Sequence, residues 1–170
     1  MPLVEFKKLV QNARMPKYTN EHAMGFDLFA PEGIAATIIP AGQMVSVKLG
    51  FATAIEEGFG VDIRPRSGHA LKGEVTIMNA PGTVDEDYRG EWILLMKNHS
   101  NKDYIIPNDK AVAQGVVKRR YTAHFNEVNE LPDSSRGKGG FGSTDNKTDN
   151  QTNHKNDSLM NKCFPIHNPF

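Results

Sequence analysis

The stretch VSVKLGFATAIEEGFGVDIR, residues 45–64, decides the fold class. Val45, Val47, Leu49 and Phe51 alternate with Ser46, Lys48, Gly50 and Ala52. Phe59, Val61 and Ile63 alternate with Gly60, Asp62 and Arg64, and Glu56-Glu57-Gly58 between them reads as a hairpin connection. A period of two belongs to half-buried strands, because successive side chains in a strand point to opposite faces. Working outward, strands are expected at 3–9, 26–30, 36–39, 74–78, 91–97, 104–106, 111–117 and 121–128. Turn signals punctuate them at Pro31-Glu-Gly33, Pro40-Ala-Gly42, Pro81-Gly82 and Pro107-Asn-Asp109. Ala70-Leu71-Lys72, within 68–73, suits one short helical turn. Many short strands at such spacing predict an all-β sandwich or barrel.

The 170 residues fit one domain. Twenty basic and twenty acidic residues cancel, so no global field draws the chain to nucleic acid or to a membrane surface. Any polyanion must be met by a local cluster of charge. The longest apolar run, Trp92 to Met96, is far short of a membrane span, and MPLVEFKKLVQNARM lacks the layout of a signal peptide. The single cysteine, Cys163, forms no internal disulfide. A soluble protein of a reducing, intracellular compartment is expected, cytoplasmic, with the nucleus left open; Lys118-Arg119-Arg120 is too short to read as a nuclear signal. Composition shifts after Leu131, which divides the chain into a β core over 1–131, a mobile Gly-rich arm over 132–145, and a polar, disordered extension over 146–170.

Several chemistries are missing. There is no HExxH or CxxC, the six histidines are scattered, and Lys138 precedes the glycines of Gly137–Thr144 instead of standing before Ser or Thr as a phosphate loop needs. Three polar clusters remain. Arg64-Pro-Arg-Ser-Gly-His69 offers two guanidiniums and a hydroxyl beside a glycine, an oxyanion cradle or simply a turn with solvated charges. The segment from Asn79 to Glu91, NAPGTVDEDYRGE, is a Gly/Pro hairpin dense in carboxylates, able to present a base for water or to be a charged surface loop. RGKGGFGST, residues 136–144, is a set of phosphate donors around one ring, or a plain linker.

Taken together and in order, AMGFDLFA (23–30), RPRSGHA (64–70), NAPGTVDEDYRGE (79–91), DKAVAQ (109–114) and RGKGGFGST (136–144) strongly resemble the five motifs of the trimeric dUTPase family, over roughly residues 1–145. The resemblance implies a jelly-roll (β-clip) barrel assembled as a homotrimer, each active site shared among three chains and closed by a flexible C-terminal arm. It implies an enzyme, dUTP diphosphatase, that converts dUTP and water to dUMP and pyrophosphate, keeping uracil out of DNA and supplying dUMP for dTMP synthesis. Asp85 matches the carboxylate that activates the attacking water. Asn79 matches the residue that pairs with uracil beside the hairpin residues Gly82, Thr83 and Val84, and Tyr88 the ring beneath deoxyribose. Arg66, Ser67, Gly68 and Gln114 match phosphate contacts. Arg136, Ser143 and Thr144 match the γ-phosphate donors of the arm, with Phe141 and Gly142 over the base. Asp27 matches the carboxylate that reaches Mg²⁺ through water, the ion resting mainly on substrate phosphates.

The sequence departs from the family pattern at Lys110, Gly115, Asp62, His69 and Asp145. Gly115 is expected to weaken its strand, and Asp62 and His69 read as neutral variation. A dCTP deaminase would need a Trp where Tyr88 stands and lacks the Phe141 arm. A catalytically dead homologue conflicts with Asp85 and Tyr88. A binding or regulatory protein is the remaining alternative, with residues 146–170 the candidate segment for a protein partner.

Overall fold

The computed structural model describes residues 1–34 and 36–140. Eleven strands and one short helix are defined there: β1 (Val4–Lys8), β2 (Phe26–Leu28), β3 (Ala36–Ile39), β4 (Met44–Lys48), β5 (Phe51–Ile55), β6 (Phe59–Arg64), α1 (Ser67–Gly73), β7 (Val75–Ile77), β8 (Gly82–Val84), β9 (Ile93–Asn98), β10 (Tyr104–Pro107) and β11 (Ala113–Arg119). All strand pairs are antiparallel, in sheets ordered β2-β11-β6-β8, β4-β9-β7, β1-β5 and β10-β3. The all-β expectation holds, and no helix among the described residues is long and apolar enough to cross a membrane.

The core forms where the inward faces of these sheets meet. Trp92, Phe51, Leu28, Ile39, Leu94 and Met96 are almost fully buried. Phe51 lies 5.2 Å from Trp92 and 4.8 Å from Phe6, ring centre to ring centre. Two buried polar groups are satisfied, as a low-dielectric interior requires. The indole Nε1 of Trp92 donates to Thr53 Oγ1 at 3.1 Å. Asn98, fully buried, donates to the carbonyls of Ile39 and Lys102 and accepts from the amide and hydroxyl of Ser100, tying β9 to β3 and to the turn before β10.

Three details differ from the periodic reading. The run from Val45 to Ala52 is two strands: the chain turns at Gly50, φ +73°, so that β4 pairs with β9 and β5 with β1. The Glu56-Glu57-Gly58 turn closes with Phe59 N–H to Glu56 C=O at 3.2 Å, yet β5 and β6 enter different sheets instead of a hairpin. Alternation records which side chains are buried, not which strand lies alongside: Ser46 and Lys48 on β4 are exposed, whereas Phe51, Ala52 and Thr53 on β5 are all buried. The expected strand at 121–128 is not one. An extended segment becomes a strand only when a second backbone meets its N–H and C=O groups, and none does so among the described residues. Tyr121 and Phe125 remain 85% and 91% exposed.

The contacts divide the chain into two units, Met1–Ala123 and His124–Phe170. Within the second, the described part runs to Gly140 and contains a turn in which the Gly137 amide donates to Ser134 O and Oγ, Gly137 taking φ +55°.

Gly115 sits inside β11, opposite Phe26 on one side and Ile63 on the other, and the ladder runs through it without a break. A Cβ at this position would overlap the rim of the Phe26 ring and come within 3.1 Å of Val61 Cγ1. The glycine is therefore the complement of Phe26 and does not weaken the strand. Gly115→Ala should destabilise the protein by about 1–3 kcal/mol, the usual cost of overpacking, and Phe26→Leu in the same chain should recover part of it. Urea unfolding at fixed chain concentration measures both; an unchanged midpoint for Gly115→Ala would contradict this packing.

Candidate active site

Register places three polar side chains in one row across the β2-β11-β6 sheet. Gln114 on β11 stands opposite Asp27 on β2 and opposite Arg64 on β6. Beyond Arg64 the chain leaves the sheet and enters α1, with Arg66 at the N-cap in extended conformation. The Arg66 guanidinium returns over the row, Nε lying 3.4 Å from Asp27 Oδ1 and Nη1 3.4 Å from the Ala111 carbonyl. Asp27 is further held by Thr19 Oγ1, which donates to Oδ2 at 2.9 Å. Gln114 Nε2 donates to the Pro65 carbonyl at 3.0 Å, fixing the turn into the helix. A side chain on Gly25 would come within 2.9 Å of Gln114 Oε1, so the glycine leaves the carboxamide its place.

In α1 the amides of His69 and Ala70 bond back to Arg66 O. The amides of Ser67 and Gly68 lie at the end of the helix, where the geometry supplies no acceptor, and both residues are exposed. Asp27, Arg66 and Gln114 are thus brought together, with Ser67 and Gly68 following Arg66 at the start of α1. No cluster of three or more His, Cys, Asp or Glu suited to a metal exists among the described residues. Asp27 is the carboxylate of this row, and a lone carboxylate fits an ion such as Mg²⁺ that keeps its waters and rests chiefly on phosphate oxygens.

A second group lines a pocket of about 140 Å³ bounded by Asn79, Gly82, Tyr88, Glu91 and Trp92. The Asn79 carboxamide lies along Gly82, its Nδ2 3.2 Å from where a Cβ would stand, a closer approach than most side chains allow. The turn between them includes a cis Ala80–Pro81 bond. Tyr88 is half exposed and donates its hydroxyl to Glu91 O at 3.0 Å, over Gly90, where a side chain would collide with it. Glu91 is anchored in turn, accepting the Gly50 amide at 3.0 Å and facing Lys48 Nζ at 3.7 Å. The sequence reading did not single out Glu91 and Gly90. Their signal was their place in the loop, which does not distinguish a support from a spectator. Thr83 and Val84 also line this pocket, Val84 with its side chain buried.

Asp85 follows β8 and is exposed on a separate cleft of about 500 Å³, with Phe59, Asp62, Glu86, Lys118 and Arg119 on its walls. The neighbouring carboxylates are engaged. Glu86 accepts the Gly58 amide at 2.6 Å and faces Arg120 at 3.3 Å, while Asp62 faces Arg64 at 3.0 Å and Lys118 at 3.8 Å. Asp85 has no ion pair of this kind among the described residues. The register separates it from the row of Asp27, Arg66 and Gln114. Val84 pairs with Val61, which sets Asp85 beside the start of β6, whereas Arg66 and Ser67 follow its end. At about 3.3 Å per residue, Gly60 to Arg64 alone spans about 13 Å.

Arg136 belongs to the 124–140 segment, where its Nε donates to Gly139 O at 2.9 Å. Phe141, Gly142, Ser143 and Thr144 lie outside the described residues.

The family model for dUTPase matches residues 11–145. Among similar proteins, the deoxyuridine 5'-triphosphate nucleotidohydrolase of Nautilia profundicola is 45% identical over 141 residues, 83% of this chain and 97% of that protein. The Helicobacter pylori (strain Shi470) protein of the same name is 43% identical, covering 83% of this chain and 95% of its own length. In fold, the chain resembles a variant of the Staphylococcus bacteriophage 80alpha dUTPase carrying dUpNHpp, with a TM-score of 0.73 over 84% of this chain and 98% of that one at 24% identity. It also resembles a variant of the phage phi11 dUTPase described for its coordination of a structural Mg(II) ion, with a TM-score of 0.66 over 76% and 98% at 21% identity. The family resemblance therefore holds over residues 11–145, and the chain belongs to the dUTPase family.

Proposed function

We propose that this chain hydrolyses dUTP to dUMP and pyrophosphate, as a homotrimer whose sites are shared between chains. The observation that carries this reading is the pairing of a narrow pocket at Asn79, Gly82 and Tyr88 with a row of phosphate-binding groups at Asp27, Arg66, Ser67 and Gln114. The Asn79 carboxamide offers both a donor and an acceptor to uracil, and the hairpin backbone at Gly82 completes the recognition of its edge. The Tyr88 ring, pinned through its hydroxyl to Glu91 O, forms a flat surface for deoxyribose and occupies the volume a 2′-hydroxyl would need.

A triphosphate carries close to four negative charges, while this chain is neutral overall, so its binding depends on local groups. The Arg66 guanidinium and the outward amides of Ser67 and Gly68 supply them. Asp27, steadied by Thr19, would hold Mg²⁺ through water, and when bound the ion supplies neutralisation of the phosphate charge. Asp85 accepts a proton from water as the water oxygen forms its bond to the α-phosphorus. The bond from that phosphorus to the α,β-bridging oxygen breaks in line, and its electron pair leaves with pyrophosphate. A carboxylate is a weak base, so positioning and charge neutralisation provide most of the acceleration. Residues 136–144 close the site, Arg136, Ser143 and Thr144 on the γ-phosphate and Phe141 with Gly142 over uracil, excluding water that would weaken each contact. The dUMP released is the precursor for dTMP synthesis.

Two features support sharing of the site. Asp85 and the phosphate turn flank opposite ends of β6, so one α-phosphate does not reach both within a chain. The alternating segment from Tyr121 to Val128 stands with its apolar side chains in solvent, a pattern suited to pairing with another copy.

The reading is tested by pyrophosphate release from dUTP, dTTP, dCTP and UTP with Mg²⁺, where dUTP alone should turn over rapidly. Asp85→Asn should lower kcat by roughly 10²–10⁴-fold with little change in dUTP affinity; near-normal turnover would remove Asp85 from the chemistry. Tyr88→Ala should narrow the preference for dUTP over UTP. Equal exclusion of UTP by the folded variant would show that the ring does not select the sugar.

A further inference from the structure

We propose that His69, held by Tyr104, is a positioning residue for the phosphate-binding turn, so that this pair sets triphosphate affinity without touching the base or the sugar. The inference rests on the reading of Arg66, Ser67 and Gly68 as phosphate contacts. His69 lies one residue beyond Gly68 on the inner side of α1, and its ring is bonded at both nitrogens. Nε2 stands 2.7 Å from the Ala111 carbonyl, which can only accept, so Nε2 carries the proton. In the neutral ring Nδ1 is then the acceptor, and the Tyr104 hydroxyl at 3.1 Å donates to it. The two rings meet edge to face, 5.7 Å apart.

Tyr104 also grips the other end of the helix. Its ring covers Gly73, the last helical residue, where a Cβ would run into it. One side chain on β10 thus fixes α1 at its middle through His69 and at its end through Gly73. The helix has its other ties at its two ends, through Arg66 and the Pro65 carbonyl at the entry and through the His99 amide, which donates to Glu74 O just past the last residue. It spans seven residues, its N-cap Arg66 makes no side-chain cap, and its outer residues Ala70, Leu71 and Lys72 are exposed. Isolated helices of this length are unstable in water, so the direction of the Ser67 and Gly68 amides is set by tertiary contacts.

The Ala111 carbonyl joins this arrangement to the charged row. It receives His69 Nε2 and Arg66 Nη1, and the same Arg66 faces Asp27. Ala111 is buried, as are Val112 and Ala113 beside it, so the shared acceptor is a fixed point. Loss of the His69 bond frees the first turn of α1 to rotate and leaves Arg66 as the remaining donor to that carbonyl. His69 is therefore more than the neutral variation read from the sequence.

The test uses the full chain with Mg²⁺. His69→Ala should raise the KM for dUTP and the Kd for pyrophosphate, measured by calorimetry, each by roughly 3- to 10-fold, the effect of one hydrogen bond. The inhibition constant of deoxyuridine, which engages only the Asn79 and Tyr88 pocket, should stay within about twofold. Tyr104→Phe keeps the ring on Gly73 and removes only the hydroxyl; it should move the same two constants in the same direction by less. The double variant should be no worse than His69→Ala alone, because the two act through one contact. His69→Gln, which can still donate to Ala111 O, should restore most of the affinity. Unchanged pyrophosphate affinity in both single variants, or a parallel loss of deoxyuridine binding, would overturn the proposal. Failure of the unaltered chain to hydrolyse dUTP would instead strike at the functional reading, and the pyrophosphate measurements would still decide the role of His69.

Discussion

Strand β6 is paired along both edges, with β11 on one side and β8 on the other, and this double ladder constrains everything else. Because β6 and β8 are antiparallel, with Val84 opposite Val61, the end of β8 lies beside the start of β6. One end of β6 delivers Arg66 and α1; the other lies beside Asp85. The register with β11 then carries Gln114 to Arg64, and β2 carries Asp27 to Gln114. A one-residue slip in any of these ladders would turn the polar row into the core and the core residues outward. The polar row and the buried Val61 and Ile63 are alternate positions of the same strands, so stability and site geometry depend on a single register.

Within that frame, the supports are short-range and polar. Thr19 steadies Asp27, Gln114 holds the Pro65 carbonyl, Glu91 anchors Tyr88, and His69 with Tyr104 fixes α1. Glycines occupy the places where those side chains come closest. Gly25 admits Gln114, Gly73 admits the Tyr104 ring, Gly90 admits the Tyr88 hydroxyl, and Gly115 admits Phe26. In each case the absent Cβ serves the neighbouring side chain and not the flexibility of the backbone.

Much of this was legible in the sequence. The strands expected over 36–39, 59–64 and 104–106 are found, the last running on to Pro107, and the family is the one the five motifs resemble. The remainder was hidden for physical reasons. Alternation does not name the partner of a strand, so the Val45–Ala52 run concealed a turn at Gly50, and the Glu56–Gly58 turn concealed a passage between sheets. The 121–128 segment has the periodicity of a strand, yet among the described residues no second backbone pairs with it and its apolar side chains are exposed. Gly115 read as a weakness only while Phe26, nearly ninety residues away, was not known to fill its place. His69 read as neutral because its partners, Tyr104 and Ala111, are distant in sequence.

We propose that Asp85 and the turn at Arg66–Gly68 serve one site from two different chains. Chains carrying Asp85→Asn and chains carrying Arg66→Ala should each be nearly inactive alone. Unfolded together in equal amounts and refolded, they should form mixed trimers in which some sites draw Asp85 from one variant and Arg66 from the other. Random assembly makes about a quarter of sites intact, so dUTP hydrolysis should return to about a quarter of the unaltered rate. A mixture no more active than the mean of the two variants, with mixed trimers demonstrated by mass, would place both residues on the same chain at each site and contradict the account.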